Sequence, residues 1–487
     1  MSQGNRKAQY LVTSAVCLAT VTSGVLMSWA TSALVKLGNN ETSMHVTNEH
    51  ISWIAASSSP GFMAGSLASR FVSDRFGRRA TILGSALPIE LGTMVLVIFS
   101  NVWLLCVTRF VWGIGIGMVS TAATIYLAEI SDKDIRGSLT VSLRFMFNFG
   151  NFIIIAVGPF VTFYTLNYML LALPTMYFVA CWFIPETPYH SLRVGKVDRA
   201  RKALMQLRKY SDEKEIEEEL TLIRQDVNKE TVRSGSLKEL LTGKQYRRAL
   251  VICAGTKITQ ILTGSIVIQS YMGLIMKDSK MQMDLPTAFI IFGAVRFVSG
   301  VMASQLADRV GRRPLFIYSY IGTALSLGLT GAYFFCLEVL LVSEEKLAPY
   351  GIIAFVGIIL SVIISTLGFN SLVFLLPAEL FPLNVKSVAM TTLNILGGFS
   401  NFAIVKVYQQ SKDWVGLFGV FTFFASVSLA GGAFSYFFLP ETKGKSLREI
   451  LVLLQGTAYD EAAESLNKVT KAVDINGAVK ATELKQV

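Results

Sequence analysis

Charge is what this chain has least of. Only 16% of its 487 residues are Asp, Glu, Lys or Arg, against about 25% in an average soluble protein. Histidine is rarer still, with His45, His50 and His190 scattered in loop-like surroundings. No H-E-x-x-H pair can form from them, so metal chemistry is unsupported. The five cysteines, Cys17, Cys106, Cys181, Cys253 and Cys336, all fall inside apolar segments. They are expected to behave as small hydrophobes rather than as a disulfide framework. There is no G-x-x-x-x-G-K-[ST] loop and no Rossmann glycine pattern opening a strand–helix unit, which argues against nucleotide-driven chemistry. No cofactor and no enzymatic activity are expected. The N-terminus has no cleavable signal pattern, because the first apolar run is too long and lacks a small-residue cleavage site.

What the chain has in abundance is apolar surface: 52% hydrophobic residues, 32 phenylalanines and a mean hydropathy of +0.51. Apolar stretches of about 20 residues recur, each long enough to cross a ~30 Å hydrocarbon layer. Twelve spans are expected near residues 9–36, 50–72, 80–100, 102–128, 137–160, 165–184, 249–276, 285–307, 314–337, 349–376, 387–409 and 414–439. All must be helices, because lipid offers no partner for an unpaired backbone amide. The fold class is therefore an all-α membrane protein of twelve transmembrane helices.

The net charge of +11 does not mark a nucleic-acid binder, since the basic residues sit in short loops between spans. Arg70, Arg75, Arg78 and Arg79 surround the loop after the second span, whereas residues 37–49 contain no Lys or Arg. That asymmetry places both termini in the cytoplasm. Asn40-Glu41-Thr42 then falls outside as a glycosylation acceptor. With no retention signal at the C-terminus, the plasma membrane is the expected location.

The chain divides at its charge-rich stretches. Residues 1–184 are read as a six-helix bundle, 185–248 as a cytoplasmic linker with short amphipathic helices, 249–440 as a second six-helix bundle and 441–487 as a cytoplasmic tail. The halves repeat: Asp74-Arg75-Phe76-Gly77-Arg78-Arg79 reappears as Asp308-Arg309-Val310-Gly311-Arg312-Arg313, 234 residues later, each time after the second span of its half. An internal duplication of six spans predicts two pseudo-symmetric bundles with a solute site between them at the midplane.

With Arg109 and Gly113, Gly115 and Gly117 in span 4, Glu129 before Arg136-Gly137, Pro185-Glu186-Thr187-Pro188, Ala378-Glu379-Leu380-Phe381-Pro382 and Pro440-Glu441-Thr442-Lys443-Gly444, the sequence resembles the sugar porter family of the major facilitator superfamily. Within it, the chain is similar to the insect facilitated trehalose transporters. The resemblance implies alternating access and a small polar solute, a sugar such as trehalose or a hexose. It also implies a charge network at the cytoplasmic face, in which Glu129, Glu186, Glu379 and Glu441 pair with Arg75, Arg78, Arg136, Arg309, Arg312 and Lys386, with Asp74 and Asp308 beside them.

The family's pocket positions depart from its pattern. Gln260 and Thr263 remain in span 7, Phe374 stands at the tryptophan position of span 10, and Gly397 and Gly398 stand at polar and aromatic positions of span 11. Arg144 and Arg296 occupy a glutamine and an asparagine position, and Lys257 lies one turn before Gln260. A cation in a bilayer costs at least about 2.5–3.5 kcal/mol on insertion scales, so these three must face water, a partner or a ligand. Two alternatives to a neutral sugar therefore stay open: an anionic organic solute held by Arg144, Arg296 and Lys257, or a solute sensor that does not transport. Glu90 in span 3 is one available counter-charge. Proton-coupled members carry a carboxylate in span 1 near the span 4 arginine, matched here by Arg109; span 1 has none between Tyr10 and Gly38, which predicts facilitated diffusion. The expected partners are a small-molecule solute and the lipid bilayer, and the sequence leaves the oligomeric state open.

Overall fold

The structure is a computed structural model, and it describes residues 6–450 except 40, 43, 133, 209–212, 233–236, 282 and 446–448. Among the described residues every regular element is helical. The first half runs α1 (Arg6–Gly38), α2 (Asn48–Ala56), α3 (Ser58–Phe76), α4 (Arg78–Gly84), α5 (Ala86–Ile98), α6 (Val102–Ile130), α7 (Arg136–Val157) and α8 (Phe163–Trp182). Four short helices follow: α9 (Pro188–Arg193), α10 (Val197–Leu207), α11 (Glu213–Val232) and α12 (Leu237–Thr242). The second half contains α13 (Lys244–Leu262), α14 (Ser265–Asp278), α15 (Leu285–Val310), α16 (Arg312–Glu338), α17 (Glu344–Leu347), α18 (Gly351–Leu367), α19 (Phe369–Leu372), α20 (Leu376–Leu380) and α21 (Leu383–Phe438).

Among the described residues, ten stretches of helix are long and apolar enough to cross a membrane. One of them, Val388–Phe438, is broken at Gly416 (φ 69°, ψ 177°) and therefore crosses twice. The pair α2 and α3, jogged at Ser57, supplies the remaining crossing. The chain is a multi-pass membrane protein with twelve crossings. Helix α13 starts at Lys244, a few residues ahead of the apolar run.

The repeated hexamers build the same turn twice. Gly77 and Gly311 both take φ 104°, which favours glycine, and each ends one helix and starts the next. The first amides of the new helix lack intrahelical acceptors. In the first half, Glu186 supplies them, accepting from the N–H of Arg78 (3.0 Å) and Arg79 (3.2 Å). In the second half, Glu441 accepts from Arg312 (3.0 Å) and Arg313 (3.1 Å). The break at Gly416 is capped likewise, with Glu338 of α16 accepting from Leu417 (3.0 Å) and Phe418 (2.9 Å).

Small residues set the packing of the first half. Gly61 and Gly65 of α3 face Gly113 and Gly117 of α6 so closely that a Cβ at any of them would strike the opposing backbone. Linker helices α9 to α11 share their own apolar cluster of Ala200, Leu204, Ile216, Leu220 and Ile223. They dock on the first half through Asp132, which pairs with Arg208, and through Gln9, whose amide donates to Asp132 (3.0 Å) and to the Leu207 carbonyl (3.1 Å).

Candidate functional site

Two halves of similar build leave a seam between α1, α7, α13–α14, α15 and α19, and polar side chains line it. On α7, Arg144, Asn148 and Asn151 recur at helical spacing on one face. Asn151 accepts from Ser28 of α1 (2.6 Å), and Ser28 accepts from Gln269 of α14 (2.7 Å). Gln260 of α13 donates to Asn370 of α19 (2.8 Å), which donates to Ser265 (3.2 Å). Two groups in this lining are buried without a partner, Oε1 of Gln260 and Nδ2 of Asn151. The Thr263 hydroxyl donates to the Gln260 carbonyl (2.7 Å), an intrahelical bond, and lies 3.3 Å from the Ser265 hydroxyl.

Phe374 is half exposed and serves the cations. The Lys257 ammonium lies 4.0 Å from its ring centre and the Arg144 guanidinium 5.4 Å. Arg144 also reaches across to α19, with Nη1 3.4 Å from the Ser371 carbonyl and Nη2 3.4 Å from the Ser371 hydroxyl and 3.5 Å from the Asn370 carbonyl. The stem of Lys257 fills the space left at Gly397, and Met63 of α3 fills that at Gly398. Gly397 is thus the counterpart of the lysine. Arg296, in the middle of α15, makes no hydrogen bond, ion pair or ring contact among the described residues.

Arg109 is buried, and no carboxylate among the described residues contacts it. Its guanidinium donates to the carbonyls of Leu26 (2.8 Å) and Ile54 (3.3 Å) and to the Ser58 hydroxyl (3.2 Å), and it lies 5.8 Å from the Trp29 ring. It ties α1, α2 and α3 to α6. Glu90 stands apart from the cations, accepting from Thr175 (3.4 Å) in an apolar crevice between α5 and α8.

The charged residues at the turn end of the bundle pair within their own half. Arg78 meets Glu129 (3.0 Å), and Arg312 meets Glu379 (3.2 Å). Arg79 donates to the Trp182 carbonyl, and Arg313 to the Tyr436 carbonyl (2.7 Å), completing the symmetry. Asp74 pairs with Arg193 (2.9 Å). His190 sits 3.3 Å from Arg78. Its imidazole is held below the usual range by burial, with Glu186 opposing and Arg78 reinforcing. Arg75 lies over the Phe76 ring, Arg136 contacts the Ser131 carbonyl (3.5 Å), and the Arg309 carbonyl accepts from Lys443. Arg75, Arg136, Arg309 and Lys386 form no ion pair among the described residues. The side chain of Asp308, like Asn40, lies outside the described residues.

The opposite end is tied across the halves. Lys406 of α21 donates to Ser52 of α2 (2.8 Å) and stands 4.3 Å from the Trp53 ring centre. Lys277 of α14 donates to Asn39 (2.8 Å), and Thr31 of α1 to the Gln269 carbonyl (2.8 Å). No sequence motif marks these contacts, nor Asn151, Gln269 and Asn370. An amide side chain recurring inside apolar helices is the signal that points to the latter three.

Two six-crossing bundles meeting at a polar seam define a membrane transporter. A family profile described as Sugar (and other) transporter matches residues 16–454, and the chain belongs to that family. It is 28% identical over 91% of its length to the facilitated trehalose transporter Tret1 of Bombyx mori, covering 86% of that protein. It is equally similar to Tret1 of Drosophila pseudoobscura pseudoobscura, but spans only 50% of that longer protein. Among solved structures, the partially occluded inward open conformation of the xylose transporter XylE from E. coli superposes with a TM-score of 0.74 at 18% identity, over 90% of this chain and 100% of that one. The fold is that of the major facilitators.

Proposed function

We propose that this protein moves a sugar across the membrane by facilitated diffusion, through alternating access of the polar seam. The observation that carries the reading is the lining itself: Gln260, Asn370, Asn151 and Gln269 present amides, two of them with an unsatisfied buried group, to the space between two bundles. Buried donors and acceptors left unpaired cost about 1–3 kcal/mol each, and solute hydroxyls would satisfy them. Membership of the sugar transporter family and the trehalose transporters among its relatives agree with this.

In this reading the turn end faces the cytoplasm, where the loop arginines belong. Both termini lie there too, the membrane is the plasma membrane, and the two bundles of 1–184 and 249–440 rock about the linker of 185–248. The contacts of Lys406, Lys277 and Thr31 then shut the outer face, while Arg144 and Lys257 gather on Phe374 towards the inner one. Arg109, satisfied by carbonyls, gives no proton-accepting partner for coupled transport. The test is sugar uptake by purified protein in liposomes at zero membrane potential. Uptake should persist when a pH gradient is removed; its collapse would overturn the uncoupled mechanism.

A further inference from the structure

Arg109, Arg144, Lys257 and Arg296 all lie within the crossings, and the structure accounts for the first three. Arg109 has two carbonyls, a hydroxyl and an indole. Arg144 and Lys257 have the Phe374 ring, and Arg144 also the oxygens of Asn370 and Ser371. Arg296 has no partner among the described residues. The acids near the membrane are already engaged: Glu90 with Thr175, Glu129 with Arg78, Glu379 with Arg312, and Glu338 with the amides after Gly416. None of them contacts Arg144, Lys257 or Arg296.

Position rules out a surface role for Arg296. It stands 11 residues from the start of α15 and 14 from its end, or about 17 and 21 Å of helix, too far for its side chain to reach either interface. Nor does its register face lipid. One turn before it, Gly293 packs on Phe152 and Ile155 of α7, and one turn after it, Gly300 packs on Asn148. Its neighbour Phe297 stacks 5.9 Å from Phe152. The arginine therefore belongs to the seam, on the level of Asn148 and Asn151, and within two helical turns of Arg144 by register.

An unpaired guanidinium is an expensive group to leave inside a bilayer, and it is best satisfied by a bidentate oxyanion. We propose that Arg296 binds an oxyanion on the transported solute, so that the substrate class is a sugar bearing a carboxylate or a phosphate rather than a neutral sugar. This rests on the transport reading above. Arg144 and Lys257 add positive potential to the seam from the Phe374 side, and the seam amides take the hydroxyls of the same solute.

The test is exchange of labelled solutes in liposomes holding the purified protein, with glucuronate and glucose 6-phosphate as acidic arms and glucose and trehalose as neutral ones. Wild type should exchange at least one acidic sugar, with glucuronate separating a carboxylate preference from the phosphate preference read by glucose 6-phosphate. In Arg296→Gln the acidic-to-neutral rate ratio should fall at least tenfold, and Arg296→Lys should fall between the two. If wild type exchanges neutral sugars unhindered by a hundredfold excess of both acidic sugars, the oxyanion site is wrong and transport stands. If no sugar exchanges, the transport reading fails. Thermal protection of the solubilised protein then decides the site: protection by glucuronate that Arg296→Gln loses supports it, and equal protection of both overturns it.

Discussion

The Arg144 guanidinium lies 5.4 Å from the ring centre of Phe374, and the two residues belong to opposite halves of the molecule. That contact, with the long bonds from Arg144 to Ser371 and Asn370, joins the bundles towards the turn end, where the ion pairs themselves stay within each half. In the proposed transport cycle, opening and closing of this end would turn on a cation and an aromatic ring rather than on a lattice of salt bridges.

If Arg144 and Phe374 act as one device, their losses should not add. Arg144→Gln and Phe374→Ala should each slow solute exchange several-fold, with the double variant little slower than the worse single. A cation–π contact is worth about 0.5–2 kcal/mol, and a double-mutant cycle on exchange rates should return coupling of that order. Additive losses would show the two to be independent.

At the other end, Lys406 on Trp53 and Ser52 holds the halves together. Lys406→Met should shift the conformational equilibrium about 2- to 30-fold towards the state open at that end, the range given by 0.5–2 kcal/mol. Distances between spin labels placed on α2 and on α21 should lengthen in that variant. An unchanged distance distribution would remove Lys406 from the gate.

Arg109 holds α1, α2 and α3 through acceptors that need a forked donor. Lysine keeps the charge but cannot reach all three. Arg109→Lys should lower stability by about 2–4 kcal/mol, since hydrogen bonds from a charged group contribute about 1.5–3 kcal/mol each. A drop in the melting temperature of the solubilised protein checks this.

Glu441 gives stability its acid limit. Burial alone would push its carboxyl up, but the backbone N–H groups of Lys443, Arg312, Arg313 and Thr442 outweigh it and hold it below the usual range. A depressed carboxyl contributes stability above its unfolded pKa of about 4.3 and loses it as pH falls through the folded value. The melting temperature should therefore decline below about pH 5, and Glu441→Gln should start lower at neutral pH and flatten that decline.

The crossings, the duplication and the turns were legible in the sequence, because each depends on local chemistry. Twenty apolar residues must be a helix in lipid, and a glycine between charged residues at the end of a crossing must turn. The hexamers located Glu186 and Glu441 only through the resemblance, since the donors to these carboxylates are backbone amides that no side-chain pattern reports. Sequence could not apportion the cations. Whether Arg144 meets a ring, Lys257 fills the space at Gly397 or Arg296 meets no partner among the described residues depends on the relative rotation of helices far apart in the chain. The bond of Thr263 back to its own helix was hidden for the same reason: periodicity does not reveal how the chain turns at Gly264.

The most direct test of alternating access is counterflow. Liposomes containing the purified protein are preloaded with unlabelled sugar and diluted into labelled sugar, with no pH gradient and no membrane potential. A transient accumulation of label above the external concentration, abolished in Gln260→Ala, is the expected result for a carrier that exposes its seam to each side in turn. Simple equilibration with no overshoot, across neutral and acidic sugars alike, would contradict it.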